Sequence, residues 1–264
     1  MLHIENLNKT FNPGTPIENH VLHGITLTLK AGDYVTLIGG NGAGKSTLLS
    51  SVAGTFLPDT GTITIDGVDV TYLPEHKRAA YLGRVFQDPM SGTAAGMAIE
   101  ENLALAYRRG KRRGLRWHIT DAERKFYRER LATLELGLEN RLDDKVGLLS
   151  GGQRQALTLL MATLKEPRVL LLDEHTAALD PKTAPKVLEI GSRIIQKYNL
   201  TTMMVTHNMK DAISHGNRLI MMSGGRIVLD ICGEEKQNLT PKELVDRFTQ
   251  ASDEDLLNDQ VMLG

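Results

Sequence analysis

The chain has a single cysteine, Cys232, among its 264 residues. One cysteine cannot form a disulfide within the chain, which fits a protein that works in a reducing compartment. The sequence also lacks an excess of charge of one sign, because 31 lysines and arginines stand against 32 aspartates and glutamates. The formal net charge of −1 therefore gives no basic field that would indicate nucleic acid as a partner.

Long hydrophobic runs are missing as well. The ~18 consecutive apolar residues of a membrane-spanning helix occur nowhere in the sequence. Residues Met1–Asn6 lack the basic and apolar regions of a secretory signal peptide. The 41% of hydrophobic residues support a packed core, and 264 residues suffice for one large α/β domain or two smaller lobes. We therefore expect a cytoplasmic protein that a partner must hold if it acts at a membrane.

A glycine-rich stretch lies between a strand-like run, Tyr34–Ile38, and a helical pattern that begins at Ser46. Glycines let the backbone turn several N–H groups inward, where these groups and the helix N-terminus attract phosphate oxygens. Lys45 can reach the β- and γ-phosphates of a nucleotide, and the hydroxyl of Ser46 can ligate Mg²⁺. A chance glycine-rich turn is the alternative, and the flanking strand and helix argue against it. The predicted nucleotide-binding residues of this loop are Gly39, Gly40, Asn41, Gly42, Ala43, Gly44, Lys45, Ser46 and Thr47.

The periodicity of apolar residues divides the chain into three parts. The first part alternates as antiparallel strands do, and we expect such strands at residues 2–7, 21–29 and 62–65. Between about residues 90 and 150 only helical patterns occur, over 98–108 and over 121–136 after Thr120 as N-cap. The third part alternates between helical and strand patterns. Helices are expected over about 152–164, 181–198 and 208–214 and from Pro241. Strands are expected over 169–172 and 201–206, with a hairpin over 219–229.

A run of four apolar residues, Val169–Leu172, ends in two carboxylates. A buried strand would deliver Asp173 and Glu174 to the edge of a sheet, beside the phosphate loop. Asp173 would hold Mg²⁺ directly or through water, and Glu174 could polarise the water that attacks the γ-phosphate. Carboxylates at a strand end are also favourable simply because a helix N-terminus follows. The phosphate loop in the same chain favours the catalytic interpretation.

The stretch Leu149–Gln155 combines a small hydroxyl, two glycines and the start of a helix. These features predict another anion-binding helix N-terminus. A second phosphate-reading element in one domain has little use in a monomer. We expect it to contact a nucleotide that another copy of the protein holds.

These motifs resemble those of the ATPase subunits of ABC transporters, and the resemblance extends along nearly the whole chain. The stretch Gly39–Thr47 is similar to the Walker A motif, and Leu149–Gln153 matches the five-residue signature in full. Val169–Asp173 with Glu174 resembles Walker B and the catalytic glutamate. The remaining similarities are Gln87 in a Q-loop, Asp180 in a D-loop, His207 in an H-switch and Phe11 at the position of an aromatic residue that stacks on adenine.

The resemblance implies an α/β fold, that of a P-loop NTPase of the ABC ATPase cassette type. Such a cassette has a mixed core sheet, an N-terminal antiparallel β subdomain and an inserted α-helical subdomain. In a single domain over 1–264, the core with its β subdomain would comprise about 1–89 and 151–235. The helical subdomain would comprise about 90–150, and a C-terminal helix with an acidic tail about 236–264.

The same resemblance implies a head-to-tail dimer with two ATP molecules between its subunits. The implied ligands of Mg²⁺ are Ser46, Gln87 and Asp173, and the implied catalytic residues are Glu174, His207 and Gln87. The residues implied to reach the ATP bound to the other subunit are Ser150, Gly151, Gly152 and Gln153. Taken alone, His207 could be a structural histidine at a strand end, and Phe11 could serve packing only.

The resemblance also implies partners. A chain without a membrane domain needs separate permease subunits. The other implied partners are a second copy of the chain or a similar ATPase subunit, and an extracytoplasmic solute-binding protein. Nucleic acid is not an expected partner. We expect it to be peripheral on the inner face of the cell membrane. The variants Asp173–Asp180 and Val85–Pro89 are similar to a branch of importers whose permeases resemble the branched-chain amino-acid type. An amino acid or a related small solute is the expected cargo.

Two other function classes stay open from the sequence. A soluble ABC ATPase acting on ribosomes or nucleic acid is the first, although those similar to translation factors usually carry two cassettes and DNA-repair types carry a long coiled coil. A regulatory module that only dimerises on ATP is the second, and the presence of both Glu174 and His207 argues against it.

Two features have no assigned role. His175 stands where many members of the family have proline, and we give it no function. The basic run Arg108–Arg116, which continues to Trp117, is either a solvated loop between helices or a contact for anionic lipid headgroups or an acidic partner.

Overall fold

The computed structural model describes residues 1–110 and 119–250. The chain divides into two compact units. The first unit consists of Met1–Arg78 and the chain from Thr201 onward, and the second unit is Ala79–Leu200. Most of the basic run, from Lys111, and the acidic tail from Ser252 lie outside the described residues.

The described elements alternate along the chain as follows. The strands are β1 (Leu2–Phe11), β2 (Asn19–Leu29), β3 (Tyr34–Gly39), β4 (Thr60–Ile65), β5 (Val68–Asp69), β6 (Leu82–Val85), β7 (Val169–Asp173), β8 (Thr201–Val205), β9 (Arg218–Ser223) and β10 (Arg226–Cys232). The α-helices are α1 (Lys45–Ala53), α2 (Glu75–Arg78), α3 (Ile99–Tyr107), α4 (Asp121–Ala132), α5 (Gly151–Thr163), α6 (Thr183–Tyr198), α7 (Met209–Ser214), α8 (Gly233–Gln237) and α9, described over 241–250. Two 3₁₀ turns, Leu138–Asn140 and Val146–Leu148, lie between α4 and α5.

The N-terminal sheet of the first unit is wholly antiparallel, with the strand order β2-β1-β4-β5. Strand β1 lies inside it and pairs Leu2 with Leu29 on β2 and with Ile65 on β4. The register shifts between Ile4 and Leu7, because a bulge interrupts the strand there. Further register shifts, between Leu7 and Lys9 and between Lys9 and Thr10, interrupt the alternation after Leu7, which explains why the sequence pattern ends at residue 7 although the strand continues to Phe11. The predicted antiparallel N-terminal sheet is confirmed.

Strand β3 lies between two parallel neighbours in the first unit, β8 on one side and β9 on the other. Every residue of Tyr34–Ile38 is buried, as is every residue of β8. Burial on both faces accounts for their continuous apolar runs. Strand β10 pairs with β9 in the antiparallel sense, so this sheet is mixed, as the resemblance implied.

Arg78 ends the short helix α2 with a fully buried side chain. Its guanidinium donates to the carbonyl oxygens of Ser51 and Val52, in the last turn of α1, at 2.5 and 2.9 Å. It also donates to the carbonyl oxygens of Thr71 and Leu73, at 2.6 and 2.8 Å. Because the last carbonyls of a helix have no partner inside the helix, Arg78 satisfies the C-terminal end of α1.

In the second unit, β6 and β7 pair in parallel, with Val85 opposite Leu172. Leu103 of α3, Leu131 of α4 and Leu157 of α5 are fully buried and contribute to the apolar interior of this unit. Within the described parts of 90–150, the chain forms helices and turns, and a single isolated bridge joins Ala98 to Lys145. This agrees with the helical patterns of the sequence.

Two elements of the second unit differ from the sequence prediction. Helix α4 ends at Ala132, four residues before the predicted end at residue 136. The chain turns there because Glu135 adopts the left-handed conformation, with φ 56°. Strand β6 is absent from the predicted elements, since Gly83 and Arg84 interrupt its short apolar run. The N-cap of α4 is confirmed, with Oγ1 of Thr120 accepting from the N–H of Glu123.

The first unit ends in the helices α8 and α9. Lys236 of α8 is buried and donates through Nζ to the carbonyl oxygens of His215 and Gly216. At the start of α9, the carboxylate of Glu243 accepts from the N–H of Thr240 at 2.8 Å, and Oγ1 of Thr240 accepts from the N–H of Glu243 at 3.2 Å. This reciprocal cap confirms the predicted helix start. Among the described residues, no helix combines the length and the apolar character needed to cross a bilayer.

Candidate functional site

The phosphate loop of the first unit runs from the end of β3 to the start of α1. Gly39 has φ 151°, and a Cβ there would stand 2.2 Å from the carbonyl oxygen of Met222 on β9. Gly44 has φ 93°, and a Cβ there would stand 2.9 Å from the carbonyl oxygen of Val21. Only glycine combines such angles with such close approach. The course of the loop therefore depends on glycines that the sequence pattern singled out.

Lys45 begins α1, and its side chain is buried. Its Nζ donates to the carbonyl oxygens of Gly39 and Gly40 at 2.8 and 2.9 Å, so the ammonium group lies inside the curve of the loop. Gly44 is the N-cap of α1 and has no side chain that could accept from the first N–H groups of the helix. These N–H groups and the ammonium give this helix N-terminus the positive character that attracts anions. Ser46, in the first turn, is exposed.

His207 follows β8 in the same unit. Strands β3 and β8 are parallel, with Leu37 opposite Val205, and the N–H of Thr206 donates to the carbonyl oxygen of Leu37 at 3.1 Å. The carboxyl ends of parallel neighbours meet at one edge of the sheet, so His207 leaves the sheet where the phosphate loop begins. Its side chain is exposed. Asn208, the next residue, caps α7 and thereby fixes the direction of the chain after His207.

Phe11 ends β1 and is half-buried. Its ring meets the ring of Phe56 edge to face, with centroids 5.1 Å apart and an interplanar angle of 83°. The ammonium of Lys9 lies 5.6 Å from the centroid of Phe11. Phe11 therefore has packing contacts of its own, and its exposed part could still stack on a base.

In the second unit, β7 carries Asp173 at its C-terminal end, after the fully buried run Val169–Leu172. Oδ2 of Asp173 accepts from Nη2 of Arg84 on β6 at 3.5 Å. Glu174 follows with φ 43°, in the left-handed region that residues other than glycine seldom adopt. The chain turns at this point, because the N–H of Ala177 donates to the carbonyl oxygen of Glu174. Backbone strain of this kind is frequent at functional sites.

Gln87 is exposed and follows β6. Because β6 and β7 are parallel, Gln87 and Glu174 leave the sheet at the same edge. Nε2 of Gln155 on α5 donates to the carbonyl oxygen of Phe86 at 3.0 Å. Helix α5 thus anchors the residue that precedes Gln87.

The signature stretch forms the N-terminus of α5. Oγ of Ser150 accepts from the N–H of Gln153 at 3.3 Å, and Oε1 of Gln153 accepts from the N–H of Ser150 at 3.2 Å. A Cβ on Gly152 would stand 1.9 Å from Cγ2 of Thr183 on α6, whereas a Cβ on Gly151 would meet nothing closer than 3.5 Å. The signature is therefore a capped helix start, and its second glycine is required by packing against α6.

Arg154 supports the signature from inside the unit. Its buried guanidinium donates to the carbonyl oxygens of Val146, Gly147 and Leu149, at 3.2, 3.1 and 3.4 Å. It also contacts the sulfur of Met90, in the segment after Gln87. These bonds hold the backbone that leads into α5.

Asp180 shapes the chain before α6. Its Oδ1 accepts from the N–H groups of Lys182 and Thr183 at 3.1 and 3.0 Å. Hydrogen bonding, above all with the side chain of Thr183, lowers the pKa of Asp180 below its usual value, because the ionised carboxylate accepts these bonds. His175, to which the sequence assigned no role, is buried.

Each unit thus brings together part of the predicted site. In the first unit, the phosphate loop and His207 share one sheet edge, and Phe11 ends a strand of the N-terminal sheet. In the second unit, Gln87, Asp173 and Glu174 share one sheet edge. Their joint action on one nucleotide remains a prediction.

Three residues at these elements were missed by the sequence patterns. Arg84 contacts Asp173, Gln155 holds the segment of Gln87, and Arg154 holds the chain before the signature. A charged residue inside the short apolar run 82–85 was the available signal for Arg84. The other two follow the signature directly, and no pattern distinguishes their contacts from those of an ordinary helix.

The glycine loop between a parallel strand and a helix, with a lysine ammonium inside it, defines the chain as a P-loop nucleotide-binding protein. A family model described as ABC transporter matches residues 22–177. The tyrosine transport ATP-binding protein of Clostridioides difficile (strain R20291) is 46% identical over 257 residues, which cover 95% of this chain and 100% of that protein. The thiamine import ATP-binding protein ThiQ of Shigella flexneri is 33% identical over 213 residues, which cover 81% of this chain and 87% of that protein.

A solved structure agrees with these relatives. The dimeric post-hydrolysis state of the ATP-binding cassette MJ0796, bound to ADP and Pi, superposes with a TM-score of 0.75 at 28% identity and covers 88% of this chain and 98% of that one. The chain therefore belongs to the ABC transporter family. It is an ATP-binding subunit with the cassette fold, and it hydrolyses ATP.

Proposed function

We propose that this chain powers the import of tyrosine or a similar amino acid through separate permease subunits. The observation that carries the proposal is the 46% identity to a tyrosine transport ATP-binding protein, which extends over the full length of that relative. The resemblance of the motifs to an amino-acid importer branch supports the same class of cargo. The chain would be peripheral on the inner face of the cell membrane and held there by the permease.

The phosphate loop binds the triphosphate of ATP in this proposal. The first N–H groups of α1 and the ammonium of Lys45 surround the space in which the phosphate oxygens would bind. Nζ of Lys45 would exchange the carbonyl oxygens of Gly39 and Gly40 for phosphate oxygens. Phe11 would stack on adenine with the part of its ring that Phe56 leaves exposed.

The proposed metal ligands fit Mg²⁺, which prefers oxygen donors. Ser46 offers an exposed hydroxyl, Asp173 a carboxylate at the end of a buried strand, and Gln87 an exposed side-chain carbonyl. Bound Mg²⁺ supplies positive charge that neutralises the phosphate oxygens as the γ-phosphoryl group leaves.

Glu174 is the proposed general base. It takes a proton from the water that attacks the γ-phosphate, a role typically worth about 10²–10⁴ in rate. His207 contacts the γ-phosphate and orients the water and Glu174, and Gln87 contacts the same water and transmits the state of the site to the permease.

The site is complete only in a dimer with a second copy or a similar ATPase subunit. Ser150 of the partner subunit, with the partner's Gly151, the partner's Gly152 and the partner's Gln153, would contact the γ-phosphate. The helix N-terminus that begins at Gly151 suits an anion. We also propose that the subdomains follow the ranges expected from the resemblance, with the helical part over about 90–150 inserted into the core.

Affinity purification from membranes tests the proposal. A tagged chain should co-purify with a multi-spanning permease, and cells that lack the chain should lose uptake of labelled tyrosine while uptake of labelled thiamine continues. Complementation with Glu174→Gln should not restore tyrosine uptake. Co-purification with ribosomal RNA, or unchanged tyrosine uptake in the deletion strain, would contradict the proposal.

A further inference from the structure

Arg84 places a positive charge at the carboxylate that the proposed function assigns to Mg²⁺. Nη2 of Arg84 lies 3.5 Å from Oδ2 of Asp173, and the two side chains are only 15% and 16% exposed. Charges in such partly buried positions are screened less by water and salt than charges on the surface. We therefore expect that removing the charge of Arg84 changes the electrostatic potential at Asp173.

The register of the two strands explains how the side chains meet. Arg84 is opposite Leu171, so Asp173 lies two residues further along the neighbouring strand. Residues two apart on a strand share a face of the sheet, and an arginine side chain is long enough to reach the next position of that face.

An aromatic ring restrains the guanidinium of Arg84. Its Cζ lies 4.7 Å from the centroid of Phe86, two residues further along the same chain. A planar guanidinium can stack on a ring and donate at its edge at the same time, which the ammonium of lysine cannot do. The carbonyl oxygen of Phe86 is in turn bonded to Gln155 of α5. Arg84 is therefore held towards Asp173 by its own strand.

We propose that Arg84 is a positioning residue for the carboxylate of Asp173 and that its charge sets how much Mg²⁺ contributes to nucleotide binding. The inference rests on the proposed role of Asp173 as a metal ligand. Arg84 attracts the same carboxylate that must attract the cation. It therefore reduces the increase in nucleotide affinity that Mg²⁺ provides. Without the cation, Arg84 offsets the repulsion between Asp173 and the phosphates. Removing its charge should therefore make nucleotide binding more dependent on Mg²⁺.

Calorimetric titration with the non-hydrolysable analogue AMP-PNP measures this dependence. The magnesium ratio is the Kd in EDTA divided by the Kd in excess Mg²⁺. Arg84→Met should raise the magnesium ratio about tenfold, because a unit charge a few ångströms from the cation is worth at least that much at an effective dielectric constant of about 20. Arg84→Lys, which keeps the charge, should leave the ratio within about threefold of the parent value. Arg84→Gln provides a second uncharged variant if the methionine variant does not fold.

Arg193→Met is the matched control. Arg193 forms an ion pair of 2.5 Å with Glu135 in the same unit, with no proposed part in nucleotide binding, and its loss should leave the magnesium ratio unchanged. A ratio unchanged in both Arg84→Met and Arg84→Gln would overturn the inference. Equal increases in Arg84→Lys and Arg84→Met would also overturn it, because charge would then not be the cause.

Asp173→Asn separates this inference from the proposed function. If Asp173 ligates Mg²⁺, Asp173→Asn should lower the magnesium ratio about tenfold or more. A lowered ratio in Asp173→Asn with a parental ratio in the uncharged Arg84 variants refutes only the role of Arg84. A parental ratio in Asp173→Asn refutes the metal role of Asp173, and the inference about Arg84 falls with it.

Discussion

Gly152 at the start of α5 lies directly against Thr183 at the start of α6, where a Cβ would stand 1.9 Å from Cγ2 of the threonine. The adjacent Gly151 has no such neighbour, since its nearest contact would be Cδ2 of Leu179 at 3.5 Å. The two glycines of the signature therefore differ in how much space their surroundings leave for a side chain. Only the second is required by packing within the subunit.

Gly152→Ala should destabilise the protein by about 1–3 kcal/mol, because the added methyl group forces the two helix starts apart. Gly151→Ala, the matched control, should change the free energy of unfolding by less than about 1 kcal/mol. Urea denaturation of both variants measures the difference. Equal stability of the two variants would contradict the contact between α5 and α6.

Arg78→Met should destabilise the protein by about 3 kcal/mol or more, because each buried carbonyl oxygen left without a donor costs about 1–3 kcal/mol. The substitution leaves four carbonyl oxygens without their donor, two of them at the end of α1. Arg141→Met is the control, because Arg141 pairs with Asp144 at the surface, where such pairs contribute about 0–1 kcal/mol. The midpoints of thermal unfolding should separate the two variants clearly. A small effect of Arg78→Met would show that water can replace the guanidinium.

Lys236 should make stability depend on pH in the alkaline range. Burial lowers the pKa of Lys236 to about 8 in the folded protein, from 10.5 for an ordinary lysine. Between these values the unfolded chain binds more protons than the folded one, so this group increases the free energy of unfolding as pH rises from about 8 to about 10.5. One unit of pKa difference corresponds to about 1.4 kcal/mol.

Lys236→Met should remove that dependence. Subtracting its free energy of unfolding from that of the parent, pH by pH, cancels the titration of other lysines and tyrosines. The difference should grow in favour of the parent as pH rises above about 8, where Lys236 of the folded protein begins to lose its proton. A flat difference up to pH 10 would mean that Lys236 keeps its ordinary pKa in the folded protein.

Glu174→Gln should slow ATP hydrolysis about 10²–10⁴-fold, because the amide cannot accept the proton of the attacking water. Binding of ATP should persist, since the phosphate loop is unchanged. Glu166→Gln is a close control: Glu166 also has a positive φ, 45° against 43° for Glu174, and lies in the same unit. Steady-state phosphate release and filter binding of labelled ATP check both points. Parental turnover in Glu174→Gln would exclude Glu174 as the base.

Phe11→Ala should weaken ATP binding about five- to 150-fold, since stacking of a base on an aromatic ring is worth about 1–3 kcal/mol. Phe11→Tyr should bind as the parent does. Inorganic tripolyphosphate, which has no adenine, should bind equally to the parent and to both variants. Loss of tripolyphosphate affinity in Phe11→Ala would indicate that Phe11 supports the fold near the loop through Phe56, rather than the base.

Local chemistry is what made most of the fold predictable. The phosphate loop could be predicted because Gly39 and Gly44 stand where the local chain needs positive φ angles. Thr120 was readable as a helix start because its hydroxyl caps the N–H of a residue three positions further on. Strand β6 could not be predicted, because Gly83 and Arg84 interrupt its short apolar run and only its pairing with β7, far away in the chain, makes it a strand.

The sequence by itself determined the family, the order of the motifs and the chemical type of each site residue, since these depend on residue identity and short spacing. Only the tertiary structure decided which residues support them. Arg84 reaches Asp173, and Gln155 holds the carbonyl of Phe86, across separations of 89 and 69 residues. Contacts between residues so far apart follow from strand register and helix packing, and no local pattern encodes them.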